Sequence, residues 1–193
     1  MSLPYYLVRH GESEWNVQRL TQGQTMHPCL TARGRAQARQ AARAIADDLA
    51  SSGLEAGPVT TSDLVRARET AEIIVEILGA ELTVDPRLRE QHLGALQGMS
   101  YHETFRLAET VDWSVPDQSI GGGESMYQVR DRVAAAISSI DPARVTTLVS
   151  HGDAIRVAVA CAARLEPHTA PWLEVPNGAV ARIVGTDTTW LRC

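Results

Sequence analysis

Lysine is absent from this 193-residue sequence, so all 18 basic side chains are arginine. With no block of like charge and a net charge of -5, a nucleic-acid groove is excluded. No apolar run approaches the roughly 20 residues of a membrane span. The chain moves from Met1 directly into Tyr5-Tyr6-Leu7-Val8 without a basic region and small cleavage residues, so no secretion signal is expected. Its three cysteines, Cys29, Cys161 and Cys193, are far apart, odd in number and lack CxxC spacing. That excludes a zinc site or disulfide framework and fits a reducing cytoplasm. What remains is ordinary globular composition: 44% hydrophobic and 21% charged residues, enough for a core. At roughly 150 residues per domain the length fits one domain, residues 1–193.

Strand and helix signals alternate along the chain. Tyr5–Arg9 reads as a buried strand, Pro58–Thr61 as a second, Glu81–Val84 as a short third, Val145–Val149 as a fourth. Val180–Val184 and Thr189–Leu191 complete the set. Leu30, Gly34, Ala38, Ala41, Ile45 and Leu49 recur at three- and four-residue steps. They form one stripe of a helix capped by Thr31 and ended by Gly53. A second helix, capped by Ser62 or Asp63, turns Ala67, Ala71, Ile74 and Leu78 inward and stops at Gly79. A third opens at Glu124 with Met126, Val129, Val133, Ile137 and Ile140 inside. A fourth runs from about Asp153 to Arg164. This order predicts an α/β fold of three layers, α/β/α, around a mostly parallel sheet. Residues 99–123 depart from it. Asp112–Gly123 has weak periodicity, Pro116 and a Gly121-Gly122-Gly123 run, so the segment is expected to lie over one end of the sheet as a cap-like excursion.

Chemistry concentrates where strands end. Leu7-Val8-Arg9-His10-Gly11-Glu12-Ser13 delivers an arginine and a histidine to the carboxyl edge of a strand, where open α/β sheets bind ligands. Leu148-Val149-Ser150-His151-Gly152 repeats that arrangement. Thr61 to Thr70 places Arg66 in the first turn of a helix, where free amides and the dipole favour an anion. Two histidines with arginines suited to bidentate phosphate contact, and no metal-ligand spacing, point to phosphoryl chemistry on a histidine nucleophile.

Leu7–Ser13 with Asn16, Ser62–Thr70, Leu88-Arg89-Glu90 and Ser150-His151-Gly152 resemble the histidine phosphatase superfamily, the phosphoglycerate-mutase-like fold. Leu30 to Ala38 is similar to that family's first-helix signature. The resemblance implies that His10 becomes a phosphohistidine and that Arg9, Arg66 and His151 hold the equatorial oxygens, helped by Asn16. It implies that Glu90 protonates the leaving oxygen and then activates water, with no cofactor and no metal. Gln22 and Gly23 fall where the family lines its pocket mouth, but the loop through His27-Pro28-Cys29 departs from the usual Asp-containing form. Neighbouring positive charge should push the His10 pKa down.

Bland alternatives stand beside these roles. Arg66 could be a surface residue paired with Glu69, Asn16 a cap, and Glu81, Asp85, Glu103 or Glu109 the acid in place of Glu90. Arg68, His27, His92, His102 and His168 are read as structural or surface residues. His92-Leu93-Gly94-Ala95-Leu96-Gln97-Gly98 is similar to the cofactor-dependent phosphoglycerate mutases. Here, however, Gln91 and Leu93 replace an Arg and a Tyr, and Tyr101 stands where a Lys is usual. Phe105–Gly123 holds only Arg106 against Glu109, Asp112 and Asp117, too acidic to clamp a bisphosphate that also bears a carboxylate. The expected activity is therefore hydrolysis of a small phosphomonoester. The mutase is the first alternative, and a catalytically idle phospho-ligand binder the second. The acidic excursion suggests a neutral or cationic leaving group. Oligomeric state stays open, with a homodimer one candidate.

Overall fold

The apolar run after the N-terminus forms the central strand β1 (Tyr5–Arg9). The computed structural model describes residues 3–112, 115 and 117–192; Pro116 and Cys193 lie outside them. β1 pairs in parallel with β4 (Thr146–Ser150), which pairs in parallel with β2 (Val59–Thr61), and β2 in turn with β3 (Leu82–Val84). On the other side β5 (Val180–Val184) and β6 (Asp187–Trp190) add antiparallel. The order is β3-β2-β4-β1-β5-β6, the mostly parallel sheet of an α/β fold.

Alternation along β1 sends its side chains to two cores. Tyr6 and Val8 pack with Ala41, Ile45 and Ile74 of α2 (Ala32–Ser52) and α3 (Val65–Leu78). Leu7 packs with Val129, Val133 and Ile155 of α5 (Met126–Ser138) and α6 (Gly152–Ala162). Helices thus cover both faces, and each fully buried Ile or Leu contributes about 1.5–3 kcal/mol. Among the described residues no helix is long and apolar enough to cross a membrane.

Thr31 caps α2 through the Gly34 N–H, and Gly53 closes the helix with a φ of 63°. Two starts differ from expectation. α3 begins at Val65 with no side-chain cap, because Asp63 is held by the Arg89 guanidinium and Ser62 stays one turn outside. α5 is capped by Ser125 rather than opened by Glu124, whose carboxylate is taken by Arg132. Two short helices had no counterpart in the periodicity: α1 (Glu14–Gln18) and α4 (Tyr101–Ala108). Both start with a capping box, Ser13 with Asn16 and Ser100 with Glu103.

Candidate active site

β2, β4 and β1 are parallel neighbours, so their carboxyl ends meet at one edge of the sheet. That adjacency brings Arg66, His151, Arg9 and His10 together from distant parts of the sequence. The His10 N–H donates to Ser150 O at 3.0 Å, and the His10 and His151 rings lie 5.1 Å apart. Close backbone approach seats the loop. A Cβ on Gly11 would fall 2.2 Å from Gly34 O in α2, and the Gly11 N–H donates to Thr70 Oγ1 of α3 at 3.1 Å.

His10 is 2% exposed. Its Nδ1 lies 2.7 Å from Gly11 O, a contact that needs the proton on Nδ1. The neutral ring then carries its lone pair on Nε2. Burial, then Arg66 and Arg9, hold its pKa well below the usual imidazole range, so the ring is neutral. His151 is buried and depressed likewise, by burial and by Arg66. Its Nε2 meets Ser62 Oγ at 2.9 Å, and its Nδ1 has no hydrogen-bond partner among the described residues.

Arg66 is 0% exposed, so the surface reading of this residue does not hold. Its guanidinium donates to Gly23 O at 2.7 Å and Thr25 O at 2.9 Å. Arg9 donates to Val175 O. Neither has a carboxylate within 4.0 Å among the described residues, although the exposed Arg68 pairs with Glu72 and Arg87 with Asp85. Burial lowers both pKa values, that of Arg66 to about 10. Buried positive charge of this kind is costly unless an anion completes it.

Glu90 faces the same cavity. Its carboxylate accepts the N–H groups of Asp153, at 3.1 Å, and Ala154, at 3.3 Å, from the start of α6. Burial and the neighbouring Asp153 raise its pKa above the usual carboxylate range, against the pull of the Gln91 N–H and the two arginines. Its backbone is clamped by Arg132, which donates to the carbonyls of Arg87, Arg89 and Glu90 and pairs with Glu124. The rival carboxylates are elsewhere. Asp85 pairs with Arg87 and Glu103 caps α4, while the cavity takes neither Glu81 nor Glu109.

The cavity has a volume of about 660 Å³. Arg9, His10, Asn16, Gln22, Gly23, Arg66 and Glu90 all line it; His151 stands behind His10. Asn16 is both cap and lining. Its Oδ1 accepts from Ser13 N and from Asn177, and its Nδ2 donates to Tyr101 OH at 3.3 Å. Gly23 spends its carbonyl on Arg66, and Gln22 accepts from Ser13 Oγ. Sequence reasoning missed Asp153, Arg156, Trp172 and Tyr101, which also line the cavity; His168, read as structural or surface, is exposed and bonded to Tyr127, and it too lines the cavity. Arg156 was legible in principle, one turn into the helix that starts at His151-Gly152. Among the described residues no three His, Cys, Asp or Glu side chains are grouped to hold a metal ion.

A model of the histidine phosphatase superfamily (branch 1) matches residues 5–191. The probable phosphoglycerate mutase GpmB of Photorhabdus laumondii is 37% identical over 196 residues, covering 98% of this chain and 88% of that protein. The solved mycobacterial glucosyl-3-phosphoglycerate phosphatase in complex with VO3 is 29% identical with a TM-score of 0.77, covering 98% of this chain and 97% of that one. A solved "mycobacterial hydrolase 1" is 31% identical with a TM-score of 0.76, covering 93% and 87%.

Proposed function

The chain belongs to branch 1 of the histidine phosphatase superfamily, and from that premise we propose that it hydrolyses a small phosphomonoester through a phosphohistidine on His10. One observation carries the reading: a buried guanidinium, Arg66, and a half-buried one, Arg9, neither with a carboxylate partner among the described residues, flank a neutral imidazole whose Nε2 lone pair is free. A phosphoryl dianion supplies the missing charge.

In this reading the Nε2 lone pair of His10 attacks phosphorus and the ester P–O bond breaks. The departing oxygen takes its proton from Glu90, which burial keeps protonated at higher pH than a free carboxyl. Arg9 and Arg66, with His151 behind and Asn16 and Gln22 at the rim, stabilise charge spread over the equatorial oxygens. Water then attacks the phosphohistidine and yields its proton to the Glu90 carboxylate. The P–N bond breaks back onto His10 and inorganic phosphate leaves. Asp153 lines the cavity too, but its carboxylate is engaged by Arg156. This reading takes the chain as one domain in which the described part of residues 99–123 caps the site.

A second reading, phosphoglycerate mutase, is favoured by the names of the curated relatives. Against it, the one further arginine lining the cavity among the described residues, Arg156, is occupied by Asp153, by Leu173 O and by the face of Trp172. Arg106 is outside the cavity lining. Phosphate release from a panel of phosphomonoesters should outrun isomerisation of 3-phosphoglycerate in the presence of bisphosphoglycerate. Faster isomerisation would establish the mutase instead.

A further inference from the structure

A cavity of about 660 Å³ is of the size that encloses a whole organic ligand, well beyond one phosphoryl group. Charged Arg9, Arg66 and Glu90 form its floor around His10, and Asp153 and Arg156, the other charged side chains lining it among the described residues, are paired with each other. Leu93, Tyr101, Phe105, Ile120, Met126 and Trp172 form the wall. The chain's only phenylalanine, Phe105, is 65% exposed there, and Trp172 is 78% exposed. Large apolar side chains held in water beside a charged floor mark a surface that a ligand covers.

Several polar side chains of that wall are bonded within the fold. Thr21 and Thr104 bond each other at 2.6 Å. The Gln91 amide donates to Glu124 O at 2.7 Å, and that of Gln118 to Ser119 O at 2.9 Å. Arg156 is held by Asp153 and lies 3.9 Å from the Trp172 ring. The excursion's carboxylates Glu109 and Asp117 do not line the cavity, and Asp117 bonds Ser125 Oγ instead. A cationic leaving group therefore loses the acidic wall that composition alone suggested. A sugar hydroxyl or a second phosphate entering here would give up water for few partners, which is unfavourable.

Resting on the phosphomonoesterase reading, we propose that the alcohol part of the substrate is apolar, an alkyl or aryl group packed against Phe105, Ile120, Met126 and Trp172, rather than polyhydroxylated or multiply anionic. The phosphoryl floor and the apolar wall are continuous in one cavity, so the two halves of one ester are the occupant the geometry fits.

A series of n-alkyl phosphates from ethyl to octyl tests this, because their leaving groups have nearly the same basicity. We expect kcat/KM to rise about twofold to fourfold per methylene, the range from half to full burial of each group, at least to hexyl. Hexyl phosphate should outrun glycerol 3-phosphate and glucose 6-phosphate by tenfold or more. Phe105→Ser and Trp172→Ser should flatten the chain-length slope, and Phe105→Leu should restore it. A flat slope, or faster turnover of the polyhydroxylated esters, overturns the proposal while leaving the phosphatase reading intact. Calorimetric binding of the matching n-alkylphosphonates separates the two claims. No phosphate release from any ester, with affinity still rising along the phosphonate series, would refute the phosphatase reading and keep the apolar pocket. No rise in affinity refutes the pocket.

Discussion

Glu90 is pulled two ways, and the balance makes its role measurable. Helix N-H groups favour its charge, whereas burial and Asp153 disfavour it and prevail. If it protonates the leaving oxygen, its removal should matter only where that oxygen needs a proton. For Glu90→Gln we expect kcat/KM on ethyl phosphate to fall about 10²–10⁴-fold, the usual contribution of general acid catalysis. On p-nitrophenyl phosphate, whose leaving group departs without a proton, the fall should stay under about tenfold. A burst of nitrophenol should then precede slow turnover, because the second step has lost its base. Equal losses on both esters would mean that Glu90 acts otherwise. The sequence singled out Glu90 by its Leu-Arg-Glu context, but the clamp that fixes it, Arg132 on carbonyls of Arg87, Arg89 and Glu90, was not legible. Nothing local in a sequence says which carbonyls a distant arginine will reach.

Elements are set by short-range chemistry where it is undisturbed, and α2 is the clearest case. Its Thr31 cap, apolar stripe and Gly53 stop act within the helix, so its bounds could be read directly. The start of α3 could not, because Asp63 serves Arg89 across the fold instead of capping its own helix. Helix α4 is only eight residues long, and its apolar face of Tyr101, Phe105 and Ala108 turns to the cavity rather than into a core; its Ser100–Glu103 capping box was the clearest signal. The junction of the His10 loop with α2 depends on glycine at Gly11 and Gly34: a Cβ on Gly11 would stand 2.2 Å from Gly34 O, and one on Gly34 2.1 Å from Glu12 O. Gly11→Ala should destabilise the fold by about 1–3 kcal/mol through overpacking and lower activity further by shifting His10. A urea midpoint indistinguishable from the parent's would show that this junction can relax.

At the scale of the whole molecule, the parallel order β2-β4-β1 turns three separated motifs into one site, and this much followed from strand–helix alternation with His and Arg at strand ends. The cavity wall did not follow, since it is assembled from α4, α6 and loops whose mutual placement depends on tertiary packing. The site also couples activity to stability through pH. His10 and His151 have folded pKa values depressed well below 6.5, by burial first and then by Arg66. As pH falls through about 6.5 the unfolded chain binds protons that the native state refuses, so stability drops from there toward the depressed values. Each histidine contributes at most about 1.4 kcal/mol per pH unit. Glu90, raised in the native state, has the opposite sign but is one group against two. We expect the urea midpoint to fall between pH 7 and pH 5.5, more steeply in Glu90→Gln. An unchanged or rising midpoint would mean that these imidazoles are not buried neutral.

Trapping of the enzyme-bound phosphoryl group tests the central claim most directly. Enzyme mixed with a 32P-labelled phosphomonoester that it hydrolyses, and quenched in alkaline denaturant within milliseconds, should carry label approaching one phosphoryl group per chain. That label should be stable to base, labile to acid, located on the peptide containing His10, and absent from His10→Ala. Phosphate release with no labelled protein, or label on a residue other than His10, would contradict it.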